Sequence, residues 1–585
     1  MTMLNYNDTV LSILIFSPLV AAGIAAFIRN ETWLRWWTLL YTSAAAVYSL
    51  PLFWHFDPTQ AGFQFLQDAA WIPAFDLNIR YTVGVDGISL LLVLLTTLVM
   101  PLCVLASWTY IRTRLKEFMI CLLIMQTAMI GVFCALDLVL FFCFWEAMLI
   151  PMALLIGIWG GPRKIYAALK FFIYTMSGSV FLLVAIIALY LRVGSFSIPK
   201  IMEAAPAFSY HFQYWIFLAF FISFAIKVPM FPFHTWLPAA HVEAPTAGSV
   251  LLASILLKMW TYGFLRFSLP MAPQATQHFT PFVLWLSVVA IIYGGLTALA
   301  QTDLKKLVAY SSVAHMGFCT LGIFALNEAG LKGAMLVMIN HGVTTGALFI
   351  VVGMIYERLH TRDLDRTAGM GKTMPVFALF AGVFALSSLA FPGTNSFIGE
   401  FLVMAGGFAI PQATVSKALM VCVVPGIILA AAYMLRMLQK VAYGGTRNPD
   451  QSSLKDLGFR EMVTLAPLLV FVFWIGLHPE PFTRVMDASV KRLMEQAQRT
   501  QPPGTYVAAP PAKSEIRRPK SERNPKPENR NPKEHAAAGR SVDSPLDQQL
   551  SSRPLSNGGW FRNSDFGFRI SFGFRPSDFG LQRRT

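Results

Sequence analysis

Glu146 lies within FFCFWEAMLIPMALLIGIW, and Lys227 and Lys258 lie in runs that are just as apolar. A charge at the centre of a bilayer costs about 2.5–3.5 kcal/mol on insertion scales, so an ionisable group at that depth is read first as functional. A carboxylate beside an ammonium keeps both groups charged in low dielectric; moved apart, either one sheds its charge by trading a proton. Glu400, in SSLAFPGTNSFIGEFLVM, adds a second acid in an apolar setting. These residue types in these settings are chemistry for moving charge across a membrane, and helices must hold them there.

The chain has 585 residues, 55% hydrophobic and 13% charged, which describes a polytopic membrane protein. Backbone groups cannot go unpaired in hydrocarbon, so repeated apolar runs of about 20 residues imply an all-α helical bundle. About fourteen such runs are expected to span, near 10–28, 34–53, 87–109, 117–134, 136–158, 165–191, 211–230, 247–267, 281–300, 306–325, 331–357, 375–406, 413–438 and 462–478. The first should stay as a helix, because Asp8 stands where a cleaved signal carries basic residues.

Two of these helices are interrupted. The seventh, FAIKVPMFPFHTWLP, places Pro229 and Pro232 just after Lys227, and the twelfth places Pro392 and Gly393 ahead of Glu400. Proline removes a backbone donor and clashes with the preceding turn, so each helix should break within the membrane. The breaks lie an odd number of helices apart, and the ionisable residue precedes one and follows the other, as inversion requires. The expectation is two inverted repeats of about five helices, residues 115–267 (helices 4–8) and 281–438 (helices 9–13). Proline kinks are common in membrane helices, so a plain kink is the competing reading. Outside the repeats, 1–114 holds helices 1–3, and 462–500 holds helix 14 and a C-terminal extension. Residues 501–585, rich in Pro, Lys, Arg, Glu and Asn and ending in the near-repeat FRNSDFGFRISFGFRPSDFG, read as a disordered low-complexity tail.

Lysine and arginine gather in the loops after odd-numbered helices, among them Arg163, Lys164, Lys305, Lys306, Arg358, Arg362 and Lys440. Those loops are expected in the cytoplasm and both termini outside. The net charge of +15 resides in these loops and in the tail, which argues against a nucleic-acid partner. The six cysteines sit in apolar stretches without CxxC spacing, so packing is expected rather than metal ligation or an iron–sulfur cluster. No GxGxxG, P-loop or paired-histidine haem pattern is found, so the lipid bilayer and neighbouring chains are the expected partners, with energy arriving from those neighbours.

YTVGVDGISL, FFCFWEAMLIPM, KVPMFPFHTWLPAAHVEAPTAGSVLLASILLKMWTYGFLRF and QTDLKKLVAYSSVAHMGF resemble, in order, segments of the antiporter-like subunits of proton-pumping NADH:quinone oxidoreductase, respiratory complex I. The likeness covers roughly residues 80–440. Within that superfamily, which also includes subunits of multisubunit sodium/proton antiporters and membrane-bound hydrogenases, the chain resembles most the M-subunit family, the counterpart of mitochondrial subunit 4. The choice rests on Glu400, where the L and N families typically have lysine, and on the lack of a long lateral helix after the fourteenth span. The resemblance implies that Glu146 is the fifth-helix glutamate, Lys227 the lysine of the broken seventh helix and Lys258 the eighth-helix lysine. It implies that His315 and His341 line a hydrated axis and that Glu400 is the terminal protonatable group. Shifting the Glu146–Lys227 pair would then change the proton affinity of Lys258, which exchanges through His315 and His341 with Glu400.

By the same resemblance the chain is a subunit of a redox-driven proton translocase with no redox centre of its own. FMN, iron–sulfur clusters and quinone belong to other subunits, the L and N subunits are neighbours, and the setting is the bacterial inner (plasma) membrane. The alternative is a subunit of a sodium/proton antiporter or membrane-bound hydrogenase. Taken on the residues alone, His315 and His341 read equally as core histidines, and Lys258, with Arg266 two turns on, as a snorkelling side chain. His234, His241 and Glu243 either position their loop, cap the eighth helix or admit protons, Asp86 reads as a cap of the third helix, and Asp137 falls near a helix mouth.

Overall fold

A computed structural model describes residues 6–72, 79–410, 413–443 and 454–498. The expected tail, 501–585, lies outside the described residues. Ten helices among the described residues are long and apolar enough to cross a membrane: Tyr6–Phe27, Leu115–Cys134, Leu138–Trp159, Lys164–Val193, Thr246–Met271, Pro273–Leu299, Leu304–Phe324, Glu328–Leu359, Ser416–Tyr443 and Phe459–Leu477. Further helices occupy Glu31–Ser49, Leu90–Ala106, Tyr210–Lys227, Pro375–Ser388 and Asn395–Phe408. Several start at a polar residue that takes up the orphan amides of the first turn. Asn30 accepts from Thr32 and Trp33, Asp137 from Val139 and Leu140, and Asp303 from Lys305 and Lys306.

Glu328–Leu359 and Thr246–Met271 are buried along their membrane-spanning lengths. A helix that is apolar on every face belongs in the middle of a bundle, and these two form its centre. They approach closely because Gly342 and Gly346, four residues apart, face the neighbouring helix. The Ser254 hydroxyl donates to the Gly342 carbonyl at 2.7 Å, and a Cβ on Gly346 would run into the Ser254 hydroxyl. The outer helix Lys164–Val193 instead exposes Ile165, Leu169, Ile173, Val180, Val184 and Ile187, a face suited to lipid or a neighbouring chain.

Two elements outside the bundle were not anticipated from the sequence. Strands Gln64–Ile72 and Ile79–Val85 pair antiparallel. Across them Arg80 grips Asp68 at 2.5–3.1 Å, and with the Thr82 hydroxyl it holds the Asp68 carboxyl below the usual carboxylate range. The extension after the last apolar helix is itself a helix, Glu480–Gln498, which buries Phe482, Val485, Met486, Ser489, Val490 and Leu493. It is fastened by Ser489, whose hydroxyl accepts the Gly87 amide at 2.9 Å, and by Asp487, 2.6 Å from Lys332.

Candidate functional site

The seventh helix ends at Lys227 itself. Beyond it the chain passes through Val228–Met230 and a short 3-10 turn, Phe233–Thr235, before resuming as Trp236–Glu243. The break frees carbonyls, and the Trp236 indole takes the one on Ile226 at 2.7 Å, so the end of the helix is held although it is not continued. The fifth helix is also discontinuous: Leu138–Ala147 gives way at Met148 to Leu149–Trp159, and Glu146 sits just before the junction.

These two ends bring Lys227 and Glu146 together. Lys227 Nζ is 3.7 Å from Glu146 Oε1 and 4.2 Å from the centre of the Trp145 ring. The distance is that of an ion pair and exceeds a hydrogen bond. Lys227 is fully buried, whereas Glu146 is 23% exposed, on the face where Cys143, Ala147 and Ile150 are also exposed. The lysine therefore depends on one carboxylate and one aromatic face, and that carboxylate stands at the edge of the chain.

The remaining four predicted residues form a second group. Lys258, fully buried, has its Nζ 2.6 Å from His341 Nδ1 and also donates to the Ala253 carbonyl. Ala253 lies in a wide π-type turn, Leu252–Leu256, where the helix has room to receive a side chain from five residues on. The His341 and His315 rings are 5.6 Å apart, centre to centre. His315 Nδ1 is 3.1 Å from Glu400 Oε1, and its Nε2 is 3.4 Å from the Ser388 hydroxyl. A cavity of about 10 Å³, room for about one water, is lined by His315, His341, Thr344, Ser388 and Glu400. The order along the group is Lys258, His341, His315, Glu400. Between it and the Glu146–Lys227 pair no hydrogen bond or ion pair runs among the described residues. Trp236 packs on Trp260 at 5.4 Å, which links the neighbourhood of one lysine to that of the other.

Glu400 is positioned by the second broken helix. Pro375–Ser388 ends, the chain turns through Pro392 and Gly393, and Asn395–Phe408 begins. Asn395 ties the break together: its side-chain oxygen accepts from Ser387 at 2.6 Å and from Thr344 at 3.3 Å, and its backbone carbonyl accepts from Asn340 at 2.7 Å. Asn340, Thr344, Ser387 and Asn395 were not singled out from the sequence. The one hint was the position of Asn395 inside the PGTNS break.

Other sequence readings find their places too. Asp86 holds the turn that leads into the third helix, accepting from Ile88 and Ser89, while the helix itself starts at Leu90 after Ser89; Asp86 also pairs with Arg266 through two contacts of 2.6 and 2.7 Å in a buried setting. Lys258 does not snorkel. Asp137 is the cap of its own helix. Glu243 does not cap the eighth helix but accepts the Arg163 amide at 2.9 Å, fixing the start of Lys164–Val193. His234 packs against Tyr293 and Phe231.

Residues 135–425 match the family described as NADH:quinone oxidoreductase/Mrp antiporter, and residues 10–132 match the amino terminus of NADH-ubiquinone oxidoreductase chain 4. The chain is 46% identical over 508 residues to NADH-quinone oxidoreductase subunit M of Rhodobacter capsulatus, covering 83% of this chain and 97% of that one. It is 44% identical over 491 residues to NADH-ubiquinone oxidoreductase chain 4 of Marchantia polymorpha, with the same coverage. Among solved structures it is similar to a chain of respiratory complex I from Thermus thermophilus with bound NADH, at a TM-score of 0.76 and 28% identity over 83% of this chain and 99% of that one. The fold is also similar to a chain of the Mrp complex from Dietzia sp. DQ12-45-1b, at a TM-score of 0.72 and 20% identity over 84% of this chain and 52% of that one.

Proposed function

The chain belongs to the NADH:quinone oxidoreductase subunit M/chain 4 family, and on that premise we propose that it translocates protons in the membrane arm of such a complex. The observation that carries this reading is the buried series Lys258, His341, His315, Glu400, with its first contact at 2.6 Å and its last at 3.1 Å. A histidine accepts a proton at one ring nitrogen and releases one from the other, so two of them in line can pass a proton from an ammonium to a carboxylate. The rings stand 5.6 Å apart between centres, and the cavity that both line has room for about one water, enough to carry a proton across that gap.

The Glu146–Lys227 pair is the switch. Drawing Glu146 away from Lys227 leaves a buried cation without its counter-charge, which changes the energy of a proton on Lys258. Against a membrane potential each proton costs about 2.3 kcal/mol per 100 mV, a sum within reach of breaking one buried pair. Glu146 stands at the edge of the chain, where a neighbouring subunit can act on it. Antiporter-like L and N subunits are the neighbours proposed.

In this reading the chain crosses a bacterial inner membrane about fourteen times, with both termini outside. Residues 115–267 and 281–438 are the inverted repeats, flanked by 1–114 and 462–500. Support comes from the two breaks, one after Lys227 and one before Glu400. It comes as well from the gathering of Arg163, Lys305, Arg362 and Lys440 at one end, where Arg163 lies 3.7 Å from Glu243 and Arg362 3.4 Å from Asp303. Electron transfer takes place on other subunits, which carry FMN, iron–sulfur clusters and quinone.

The test is Glu146→Gln in inside-out membrane vesicles, with complex assembly verified. Loss of NADH-driven acidification together with quinone-coupled turnover is expected. Normal values for both would sink the switch. Sodium-dependent proton flux without any NADH oxidation would transfer the chain to the antiporters.

A further inference from the structure

Trp145 and Glu146 are neighbours in sequence, in the last turn before the junction at Met148, yet they stand in opposite settings. Glu146 is partly exposed, whereas the Trp145 side chain is fully buried. Its ring is wedged between Phe141 of its own helix, 5.2 Å away, and Phe224 of the seventh helix, 5.9 Å away with the planes at 72°. Phe224 stands three residues ahead of Lys227, and Phe141 is locked in turn against Phe267 at 4.6 Å. The indole nitrogen has no hydrogen-bond partner in the protein, so packing alone fixes the ring. A swing of the Glu146 side chain toward a neighbouring chain leaves the indole where it is.

Lys227 Nζ lies over this ring, 4.2 Å from its centre, as well as 3.7 Å from the carboxylate. Ionisable groups also stand on the elements packed around the seventh helix, among them Lys170, His234, Lys258 and Tyr293. Among the described residues, Glu146 alone comes within ion-pair or hydrogen-bonding distance of Nζ, and Arg266 is taken up by Asp86. With Glu146 away, the indole face is what remains for the ammonium.

Opening the Glu146–Lys227 pair sends a signal only if the lysine stays charged afterwards. A buried ammonium stripped of its counter-charge sheds its proton, because desolvation disfavours the charged form, and a neutral lysine exerts no field on Lys258. The face of an indole attracts a cation through its quadrupole, best of the aromatic side chains and more strongly in a desolvated site than at a surface. It carries no net charge, so it holds the ammonium without cancelling its field. We propose that Trp145 is the positioning residue of the switch: its face holds the Lys227 ammonium while Glu146 is away, so that the lysine keeps its proton and its charge is felt further along the chain. This rests on the proposed role of the Glu146–Lys227 pair.

The experiment follows the initial rate of NADH-driven acidification against pH in inside-out vesicles carrying the whole complex, with lumen and medium set to the same pH. Trp145→Phe and Trp145→Leu are compared with the unaltered chain, rates being normalised to NADH oxidation by ferricyanide, and Glu146→Gln runs alongside. Without the indole face the lysine of the opened pair gives up its proton more readily, so pumping should be lost from the alkaline side. The alkaline limb should move down by about one pH unit for leucine and by less for phenylalanine, whose face is weaker, and pumping should return as the pH is lowered. An unmoved limb in both variants, whatever the rate, would make the ring a packing element and overturn the proposal, as would equal shifts for phenylalanine and leucine. If Glu146→Gln pumps normally, the switch itself falls and the proposal with it; if Glu146→Gln is inactive and the limb is unmoved, only the role of the indole is lost. A second measurement holds even where neither Trp145 variant assembles. Fluorinated tryptophans inserted at position 145 keep the shape of the ring while drawing electron density from its face, and the alkaline limb should step down with each added fluorine. Absence of that trend would overturn the proposal.

Discussion

Lys258 Nζ and His341 Nδ1 stand 2.6 Å apart, and among the described residues no carboxylate lies within ion-pair distance of either. An ammonium and an imidazole this close, without a counter-ion, share a proton rather than a charge balance. They should behave as one unit. Lys258→Met and His341→Gln are each expected to lower proton pumping by about 10²-fold, and the double variant by no more than the worse single one. A double-mutant cycle on NADH-driven acidification decides it; additive losses would mean that the two act separately.

Glu146→Asp should be informative beside Glu146→Gln. One methylene shorter, the carboxylate keeps its charge but retreats from a lysine already 3.7 Å away. Reduced pumping with intact assembly is expected for Asp, and near-complete loss for Gln. Equal rates in the two variants would show that distance to Lys227 is irrelevant.

Asp86 and Arg266 form a buried pair whose role is structural. Asp86→Asn retains the acceptor for Ile88 and Ser89 but strands the guanidinium, at a cost of about 3–5 kcal/mol for a broken buried pair. The yield of assembled complex should drop, while protons moved per NADH in whatever assembles should be normal. Adding Arg266→Met should restore much of the yield, because replacing both partners removes the stranded charge. A changed proton ratio would move this pair into the translocation machinery.

Asn395→Ala removes the acceptor shared by Ser387 and Thr344, leaving those two buried hydroxyls only each other, 2.7 Å apart, so that one donor goes unpaired at about 1–3 kcal/mol. Since Asn395 starts the helix that carries Glu400, pumping should fall several-fold with little change in the amount of complex. Asn395→Asp, which keeps the acceptor, should retain more activity than alanine, and the reverse order would disprove the positioning role.

The sequence announced the residues that are costly where they stand. A lysine or glutamate inside an apolar run is visible without any partner, and a nearby proline marks where the helix breaks, two residues after Lys227 at Pro229 and ahead of Glu400 at Pro392; both residues were legible for that reason. What could not be read were partners distant along the chain. Nothing near Asp86 points to Arg266, 180 positions away, so the aspartate looked like a cap and the arginine only like a residue near the end of the helix that carries Lys258. Asn340, Thr344 and Ser387 escaped notice because small polar residues are common in membrane helices, and only their convergence on Asn395 sets them apart. The hairpin was missed because Gln64–Ile72 is exposed along most of its length and shows no alternation of buried and exposed positions, and helix Glu480–Gln498 because its charges hide a narrow apolar stripe.

The amide of Gly87 and the hydroxyl of Ser489 meet across 402 positions of sequence. In a chain made from its amino terminus, the turn that precedes the third helix is therefore left open until the apolar helix Phe459–Leu477 and the first turns of Glu480–Gln498 have been delivered. Helix Glu480–Gln498 then acts as a clasp, and a ribosome that stops before it leaves the front of the bundle unlatched. Truncation before residue 480 would thus be felt first at the other end of the chain, in the hairpin and the Asp86 turn.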